Sequence, residues 1–264
     1  MKDRILSCLP PQHPWDIQWF DCIGSTNTHA KELALAGARH GTVLIADRQT
    51  GGRGRLGRTF LSPAGTGIYM SVILKTDCPP EMLMHLTCAT AVAACDAIQE
   101  SAGFRPGIKW INDLVWGKRK LAGILTELIL SPDGKTAQYA IIGIGINCHQ
   151  AADDFPEPIA DIACSVDMAA KKVIPRHLLA ANLILAFEKM ANALHREKET
   201  ILSRYRENCI TLGKIVRVHR GDTVRQATAL DMGDDGSLIV KYANGQIEPV
   251  NSGEVSIRGM YGYN

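Results

Sequence analysis

The pattern of apolar and polar residues up to about position 210 predicts a body of strands and helices. Short apolar or β-branched runs predict strands at residues 17–20, 43–47, 68–74, 108–111, 114–116, 120–128 and 138–147. Alanine- and leucine-rich stretches predict helices at residues 28–38, 81–101 and 176–208. The last helix carries an apolar stripe typical of a core-facing side, formed by Leu183, Phe187, Met190 and Leu194.

The pattern changes at Leu212-Gly213, where short strands and tight turns replace the longer elements. Turns such as Asn244-Gly245 separate strands predicted at residues 215–219, 224–231, 237–242, 246–250 and 254–258. About fifty residues of this kind predict a small β-barrel, which is too short to be an enzyme by itself. We therefore expect a body at residues 1–211 and an appended β domain at residues 212–264.

Length and composition agree with a globular protein of one large domain and a small appendage. The chain has 264 residues, of which 46% are hydrophobic, and a formal net charge of +2, so we expect no polybasic surface for DNA or membranes. The N-terminus has no signal-peptide core, and the chain contains no unbroken run of about 18 apolar residues. The eight cysteines form no C-x-x-C pair, which indicates free thiols in a reducing cytoplasm.

The stretch at residues 51–58, Gly-Gly-Arg-Gly-Arg-Leu-Gly-Arg, follows the predicted buried strand at residues 43–47. Its glycines allow the backbone to approach a ligand closely, and its arginines offer planar cationic forks for phosphate or carboxylate. It lacks the Gly-Lys-Ser/Thr of a P-loop and the glycine spacing of a dinucleotide turn. The stretch predicts an anion clamp, with a flexible basic loop as the alternative.

A second set of basic and polar residues lies farther along the chain. Lys109, Asn112 and Asp113 are followed by Lys120 and Gly123 across a predicted hairpin. Lysine suits a phosphate or developing negative charge, and one carboxylate suits a Mg²⁺ ion shared with phosphates. Taken singly, Lys120 could be a solvated lysine and Asp113 a turn former. Together with the 51–58 loop, they predict a site for an acidic substrate and a nucleotide.

Two further patterns admit both a structural and a ligand-binding explanation. Ser25, Thr26 and Asn27 precede the first predicted helix, and their residue types favour capping of its N-terminus. Gly143 and Gly145 alternate on one face of the last strand of the body and leave that face without side chains. Such a face permits close approach of a ligand or close packing of a helix.

These motifs, in this order, resemble those of the biotin–protein ligases. The resemblance spans residues 17–210, and the small β domain also fits it. The matching residues are Ser25-Thr26-Asn27, Gln49, Gly52-Arg53-Gly54-Arg55-x-Gly57-Arg58, Lys109-Trp110-x-Asn112-Asp113, Lys120-Leu121-Ala122-Gly123 and Gly143-x-Gly145-x-Asn147. Two positions depart from the family pattern, because Ile111 stands where proline is common and Phe60 where some members have tryptophan.

The resemblance implies an α+β fold. It would comprise a mixed-sheet catalytic domain of the biotin/lipoate ligase type, similar to class II aminoacyl-tRNA synthetases, and a C-terminal SH3-like β-barrel. Biotin and MgATP would form biotinyl-5′-AMP and pyrophosphate. The biotinyl group would then pass to one lysine of the biotin carboxyl carrier domain of a biotin-dependent carboxylase. Because residues 1–20 leave no room for the helix-turn-helix domain of larger members, we expect a monofunctional cytoplasmic ligase that binds no DNA, with a homodimer as one open oligomeric state.

Carried over residue by residue, the resemblance implies a role for each matching position. Lys120 and Arg55 would stabilise charge during adenylate formation. The residues that bind biotin would be Ser25, Thr26, Asn27, Gln49, Gly52, Arg53, Gly54, Arg55, Lys120 and Gly123. The residues that bind ATP or the adenylate would be Arg55, Arg58, Phe60, Asn112, Lys120 and Asn147. The candidate Mg²⁺ ligand would be Asp113.

Two alternative functions stay open on the sequence alone. A lipoate–protein ligase has the same fold and adenylate chemistry, but its apolar dithiolane substrate does not call for a polar cluster such as Ser25, Thr26 and Gln49. A nucleic-acid-binding module would use the 51–58 loop and the β domain. The near-neutral net charge and the few aromatic residues of the β domain argue against that module.

Overall fold

The computed structural model describes residues 1–251 and the backbone of residues 256–259. Its centre is a seven-stranded sheet with the spatial order β1-β2-β3-β7-β6-β5-β4. In chain order the strands are β1 (Asp16–Phe20), β2 (Thr42–Ala46), β3 (Gly67–Cys78), β4 (Gly107–Lys109), β5 (Asp113–Trp116), β6 (Arg119–Leu130) and β7 (Ala137–Asn147). β1 and β2 are parallel, and the other neighbouring pairs are antiparallel. The sheet is mixed, which confirms the expected α+β class.

Helices cover both faces of this sheet. In chain order they are α1 (Lys2–Leu6), α2 (Thr26–Leu35), α3 (Leu86–Ala102), α4 (Val166–Ala170), α5 (Arg176–Ala193) and α6 (Lys198–Asn208). On one face, Ala30 and Ala34 of α2 cluster with Leu44, Ile73 and Ile141 of the strands. On the other face, α3 and α5 pack together against the alternate residues of the same strands. Because both faces are covered, every residue of β2 is buried.

The single helix predicted at residues 176–208 is wrong, because the chain turns between α5 and α6. The predicted apolar stripe is buried, as expected, at Leu183, Phe187, Met190 and Leu194. The stripe ends there, since residues 195–197 are polar and exposed. The carbonyl oxygen of Leu194 accepts a hydrogen bond from His85 Nε2 at 2.9 Å. The turn lets both halves pack on α3.

Three smaller differences concern other helical segments. The predicted helix at residues 81–101 begins later, because Pro80–Leu83 forms a 3₁₀ turn before α3. α1 was not predicted, and no helix was predicted at residues 150–175, which contain both α4 and a 3₁₀ turn. The segment Pro80–Ala102 has the length and mean hydropathy of a membrane span, but 72% of its apolar window is buried inside the fold. It is a core helix of this protein.

The C-terminal residues form a second, five-stranded antiparallel sheet, which confirms the small β domain. Its strands are β8 (Ile215–Arg220), β9 (Thr223–Met232), β10 (Leu238–Tyr242), β11 (Ile247–Val250) and β12 (Ser256–Gly259). Residues 254–255 of the last predicted strand lie outside the described residues, and the boundary at 211/212 stays a prediction. The indole Nε1 of Trp110 donates to the carbonyl oxygen of Gly236 at 2.9 Å and ties this sheet to the body. All eight cysteines are free thiols, as expected.

Candidate active site

A cavity of about 800 Å³ opens where α2, β6, β7 and the 51–58 loop meet. All of the predicted site residues except Gly52 line it, namely Ser25, Thr26, Asn27, Gln49, Arg53, Gly54, Arg55, Arg58, Phe60, Asn112, Asp113, Lys120, Gly123 and Asn147. Gly52 is buried behind the wall, where an added Cβ would collide with the carbonyl oxygen of Phe60. Its own carbonyl accepts from the Phe60 amide at 2.9 Å. Gly52 therefore shapes the loop from behind the wall, and its expected contact with biotin stays a prediction.

One part of the cavity is built from neutral hydrogen-bonding groups. Ser25 is the N-cap of α2, and its side chain accepts from the amide of Thr28 at 3.5 Å, as the capping interpretation predicts. Thr26 donates to Gln49 Oε1 through its backbone amide at 2.8 Å and through Oγ1 at 3.1 Å. Gln49 Nε2 donates in turn to Ser62 Oγ at 3.0 Å. These bonds hold the Gln49 amide in one orientation.

Ser71 on β3 lies beneath this part of the cavity and was missed by the sequence reasoning. Its side chain is fully buried, and its Oγ lies 2.8 Å from Thr26 Oγ1 and 2.6 Å from Asn27 Oδ1. A small polar residue inside an apolar strand carries no motif of its own, so nothing in the sequence marked it. We call Ser25, Thr26, Asn27, Gln49 and Ser71 the neutral part of the cavity.

The glycine face of β7 accepts side chains from two other elements. An added Cβ at Gly143 would collide with Asn27 Oδ1 on α2, and one at Gly145 would lie 2.5 Å from Phe60 Cε1. Both glycines also line the cavity. The packing explanation is therefore confirmed, because Asn27 of α2 lies against this face. The face also borders the cavity, and close approach of a ligand there stays a prediction. The Phe60 ring forms an apolar wall and meets the Tyr69 ring edge-on, with 6.4 Å between the ring centroids.

The other part of the cavity carries the charged side chains and joins the two basic motifs. Arg55 Nη1 donates to Asn112 Oδ1 at 2.9 Å, and Asn112 Nδ2 donates to the carbonyl oxygen of Ile124 at 3.0 Å. Lys120 Nζ forms an ion pair with Asp113 Oδ1 at 2.7 Å. The 51–58 loop is thereby connected to β5 and β6. We call the following residues the charged part of the cavity: Arg55, Arg58, Lys109, Asp113, Lys120 and Arg217.

Positive charge is in excess around the cavity. Two carboxylates line it, those of Asp113 and Glu157, against six basic residues, which are Arg53, Arg55, Arg58, Lys109, Lys120 and Arg217. Burial lowers the pKa of the Arg55 guanidinium from its ordinary value, Asp113 opposes this shift, and Arg58 adds to it. A bound polyanion would compensate both the desolvation and the repulsion. The charged part is therefore suited to phosphates and carboxylates.

The 51–58 loop is closed by backbone pairing. Arg53 pairs with Thr59 in an antiparallel bridge, and the Gly54 amide donates to the Arg58 carbonyl at 2.7 Å. At the tip, Leu56 has φ 55°, a left-handed conformation that costs a residue with a Cβ about 1 kcal/mol. Its side chain is 62% exposed. The tip therefore projects away from the core, and no apolar anchor holds it there.

Asp113 meets part of the requirement for a Mg²⁺ ligand. Its carboxylate pairs with Lys120, and the described residues contain no group of three or more His, Cys, Asp or Glu side chains that could hold a metal. Proteins commonly bind Mg²⁺ through one or two carboxylates together with substrate phosphates. The donor set fits a Mg²⁺ ion that arrives with ATP.

The neighbouring Ile111 is buried in the core. Its carbonyl oxygen accepts from Tyr205 Oη at 3.1 Å, and its peptide bond with Trp110 is cis.

Asn147 and Arg217 complete the cavity wall. Asn147 Nδ2 donates to the carbonyl oxygen of Cys164 at 3.1 Å, which fixes its amide beside the cavity. Arg217 comes from β8, so the small β domain contributes to the wall. Its Nε is buried and has no hydrogen-bond partner within the described part of the chain. The sequence reasoning missed Arg217, because a basic residue in a short strand resembles any solvent-facing one.

Comparison with known proteins places the two units in one family. Residues 19–147 match the Biotin/lipoate A/B protein ligase family, and residues 211–258 match the Biotin protein ligase C terminal domain. The first match contains the neutral part, the 51–58 loop and the segment from Lys109 to Gly123. The second contains Arg217.

Two relatives show how much of the chain is shared. The Bifunctional ligase/repressor BirA of Bacillus spizizenii is 36% identical over 238 residues, which cover 90% of this chain and 72% of that protein. The Biotin–[acetyl-CoA-carboxylase] ligase of Mycobacterium tuberculosis is 31% identical over 238 residues, which cover 88% of this chain and 85% of that protein.

A solved structure agrees with these relatives. The biotin protein ligase from Aquifex aeolicus, in complex with biotin and ATP, has a TM-score of 0.78 and 28% sequence identity to this chain. The match covers 92% of this chain and 99% of that one. Sequence similarity, domain content and fold lead to the same assignment, and this chain belongs to the biotin protein ligases.

Proposed function

We propose that this chain activates biotin with ATP to biotinyl-5′-AMP and then transfers the biotinyl group to one lysine of a biotin carboxyl carrier domain. The observation that carries the proposal is a cavity that joins a neutral hydrogen-bonding part to a cationic part. Biotin has the same division, with an uncharged ureido ring at one end and a carboxylate at the other. The relatives support it, because one is named as a ligase for acetyl-CoA carboxylase and another was solved with biotin and ATP.

In the first step, a carboxylate oxygen of biotin attacks the α-phosphorus of ATP. The new P–O bond forms as the bond to the bridging oxygen breaks, which releases pyrophosphate. The carboxylate is already ionised at neutral pH, so this step needs no general base. Repulsion between the two anions must be neutralised, and we assign this task to Lys120 and Arg55, with Arg58 beside them.

The partners of these cations hold them in place before the substrates arrive. Asp113 lies 2.7 Å from Lys120 Nζ, and Asn112 accepts from Arg55 at 2.9 Å. Long basic side chains lose much conformational freedom when they bind, so holding them in advance lowers that cost. Asp113 and Asn112 therefore support catalysis through the orientation of Lys120 and Arg55.

We assign recognition of the biotin ring to the neutral part. A ureido group has two N–H donors and one carbonyl acceptor, and Ser25, Thr26, Asn27 and Gln49 supply both kinds of partner. Three further residues complete the proposed biotin contacts: Arg53, Gly54 and Gly123.

The adenosine and the phosphates occupy the remaining wall in this proposal. Phe60 offers an apolar face to the adenine, and the fixed amide of Asn147 offers a hydrogen-bonding edge. Mg²⁺ enters with ATP and neutralises phosphate charge, and Asp113 is its candidate protein ligand. Asn112, already oriented by its backbone bond to Ile124, lies between Arg55 and Asp113.

In the second step, the amine nitrogen of the carrier lysine bonds to the acyl carbon of the adenylate. The acyl–phosphate bond breaks, AMP leaves, and one proton is released as the amide forms. The partner in this step is the carrier domain of a biotin-dependent carboxylase. We place residues 1–211 in the catalytic domain and residues 212–264 in the β domain, and we place the enzyme in the cytoplasm because its cysteines are free thiols.

The test is an assay in two stages. In the first stage the protein is incubated with ATP, Mg²⁺ and biotin, and the release of pyrophosphate is measured. In the second stage a purified carrier domain is added, and its mass is measured by mass spectrometry. We expect biotin-dependent pyrophosphate release and the gain of one biotinyl group. Release with lipoic acid alone would favour the lipoate ligase alternative. A salt-dependent nucleic-acid gel shift that biotin and ATP leave unchanged, without transfer, would favour the binding module, and sedimentation would distinguish a monomer from a homodimer.

A further inference from the structure

Glu127 lies on β6 beside the neutral part of the cavity and connects three elements. Its Oε2 accepts from Asn27 Nδ2 at 3.0 Å, and its Oε1 accepts from Lys31 Nζ. Arg53 Nη1 of the 51–58 loop lies 3.9 Å from the same Oε1. The Glu127 side chain is 18% exposed. A carboxylate held this closely by α2 has little freedom to move.

These contacts decide which way the Asn27 amide faces. Both groups near Nδ2, the Glu127 carboxylate and the carbonyl oxygen of Leu125 at 3.3 Å, accept hydrogen bonds and cannot donate them. If the amide were turned by 180°, Oδ1 would face two acceptors. The chemistry of the neighbours therefore directs Nδ2 toward β6. Oδ1 faces the other way, where Ser71 Oγ lies 2.6 Å from it.

Because residue 143 is a glycine, Asn27 Oδ1 can occupy the position that a side chain would otherwise fill. An added Cβ at this position would collide with Oδ1, so the oxygen rests on a bare stretch of β7. Asn27 lines the cavity although only 4% of its surface is exposed. A carbonyl-type oxygen has two lone pairs, and Ser71 can use one of them. The neutral part therefore presents a hydrogen-bond acceptor where the other amide orientation would present a donor.

We propose that Glu127 is a positioning residue that sets ligand specificity through Asn27. It keeps Asn27 Oδ1 available to accept from a ureido N–H, although Glu127 itself does not line the cavity. This inference rests on the proposed function, because it names the group of biotin that Asn27 reads. A buried acceptor discriminates strongly against a ligand that presents oxygen in place of N–H, since the two acceptors would face each other.

The test compares biotin with its two cyclic carbamate analogues, in each of which an oxygen replaces one ureido N–H. The wild-type chain should bind biotin at least about tenfold more tightly than one of these analogues. In Glu127→Met only the Leu125 carbonyl, at 3.3 Å, still favours the wild-type orientation. The Asn27 amide can then turn more readily and donate to that oxygen, so the preference should fall toward unity. The KM for biotin should rise about tenfold, while kcat at saturating biotin stays within about twofold.

Two matched variants separate positioning from general damage. Glu127→Gln keeps an oxygen acceptor for Asn27 and should retain most of the preference. Lys31→Met removes the ion pair but leaves the Glu127–Asn27 hydrogen bond, and it should match the wild type. Thermal melting with each ligand provides the binding measurement and also reports folding.

The outcomes distinguish this inference from the proposed function. The positioning role is overturned if the wild type binds both carbamates as tightly as biotin, if Glu127→Met keeps the wild-type preference, or if Lys31→Met loses it. Should Glu127→Met fail to fold, the wild type and Glu127→Gln decide the matter, because loss of the preference in Glu127→Gln would also overturn the role. A wild type that neither binds biotin nor releases pyrophosphate overturns the proposed function instead.

Discussion

In the neutral part of the cavity each polar side chain is paired within the protein, whereas in the charged part the basic side chains outnumber the carboxylates. Thr26, Gln49 and Ser71 form hydrogen bonds of 2.8 to 3.1 Å with one another and their neighbours. In the charged part, burial and the nearby Arg58 lower the pKa of the Arg55 guanidinium. Both parts belong to one cavity, but without a ligand the neutral part has its hydrogen bonds formed and the charged part has an excess of positive charge.

This contrast indicates which part of the cavity is complete without a ligand. Fully paired neutral groups are stable when empty and hold fixed donor and acceptor directions, so they suit recognition of an uncharged ring. Clustered cations repel one another until an anion binds, so the charged part gains stability from its substrate. We therefore expect changes in the neutral part to affect biotin binding and changes in the charged part to affect ATP binding and rate.

Among the changes in the charged part, Lys120→Ala should lower the rate of adenylate formation the most. Loss of a charge-assisted hydrogen bond worth about 1.5–3 kcal/mol should slow pyrophosphate release by about 10- to 100-fold or more. The exposed Lys118 of the same hairpin provides a matched control, and Lys118→Ala should behave like the wild type. Normal pyrophosphate release by Lys120→Ala would remove Lys120 from the reaction.

Arg55→Gly should weaken retention of the adenylate as well as its formation. The mixed anhydride stays bound only while its phosphate has cationic partners, so its escape should raise biotin labelling of a bystander protein by about tenfold. Labelled lysines on added albumin can be counted by mass spectrometry. Arg55→Lys keeps the charge and should label less than Arg55→Gly. Labelling equal to wild type, together with unchanged biotin affinity, would contradict this role.

Gly143→Ala should damage the neutral part and spare the charged part. The new methyl group would displace Asn27 Oδ1, and overpacking of this kind costs about 1–3 kcal/mol, so the KM for biotin should rise about tenfold. The KM for ATP should change much less. Gly24→Ala is the control, because its added Cβ meets nothing within 4 Å. An equal rise in both KM values would show that the two parts are not separable.

Trypsin should cut the 51–58 loop several-fold more slowly when biotin and ATP are bound. The loop carries Arg53, Arg55 and Arg58, and few bonds close it in the absence of a ligand. Ligand contacts should therefore make its opening rarer and protect the cleavage sites. Cleavage at the exposed pair Lys171-Lys172 should not change and serves as the internal control. Equal cutting at the loop with and without ligands would mean that it does not close over them.

The smallest of the expected effects is a different salt dependence of ATP binding and biotin binding. Raising ionic strength from about 50 to 200 mM shortens the screening length and should weaken ATP binding by about threefold. Biotin has a single carboxylate in the charged part and an uncharged ring in the neutral part, so its binding should weaken much less. Calorimetric titration of each substrate at both concentrations provides the measurement, and desthiobiotin, which keeps the ureido group, serves as a second neutral-part probe. An equal loss for ATP and biotin would argue against the division.

Local pattern was enough to predict much of this molecule. Residue type and local spacing predicted β1 to β11, the cap at Ser25 and the bare face of Gly143 and Gly145. Side chains share a face every 2 residues in a strand and every 3.6 residues in a helix, and such a repeat is visible within a short stretch of sequence. The basic loop at residues 51–58 was also visible, because four glycines and three arginines lie within eight consecutive residues. All but one of the predicted site residues line the cavity; the exception is Gly52.

Residue types and their spacing were therefore enough to predict most of the elements and the type of chemistry, whereas the pairing of side chains followed only from the folded chain. Asn27 and Glu127 are 100 residues apart, and Arg55 and Asn112 are 57 apart, so no local pattern reports that they meet. The break between α5 and α6 and the arrival of Arg217 from the β domain depend likewise on packing against distant elements. A side chain's role in this cavity depends on which group it faces, and the folded chain alone brings those groups together.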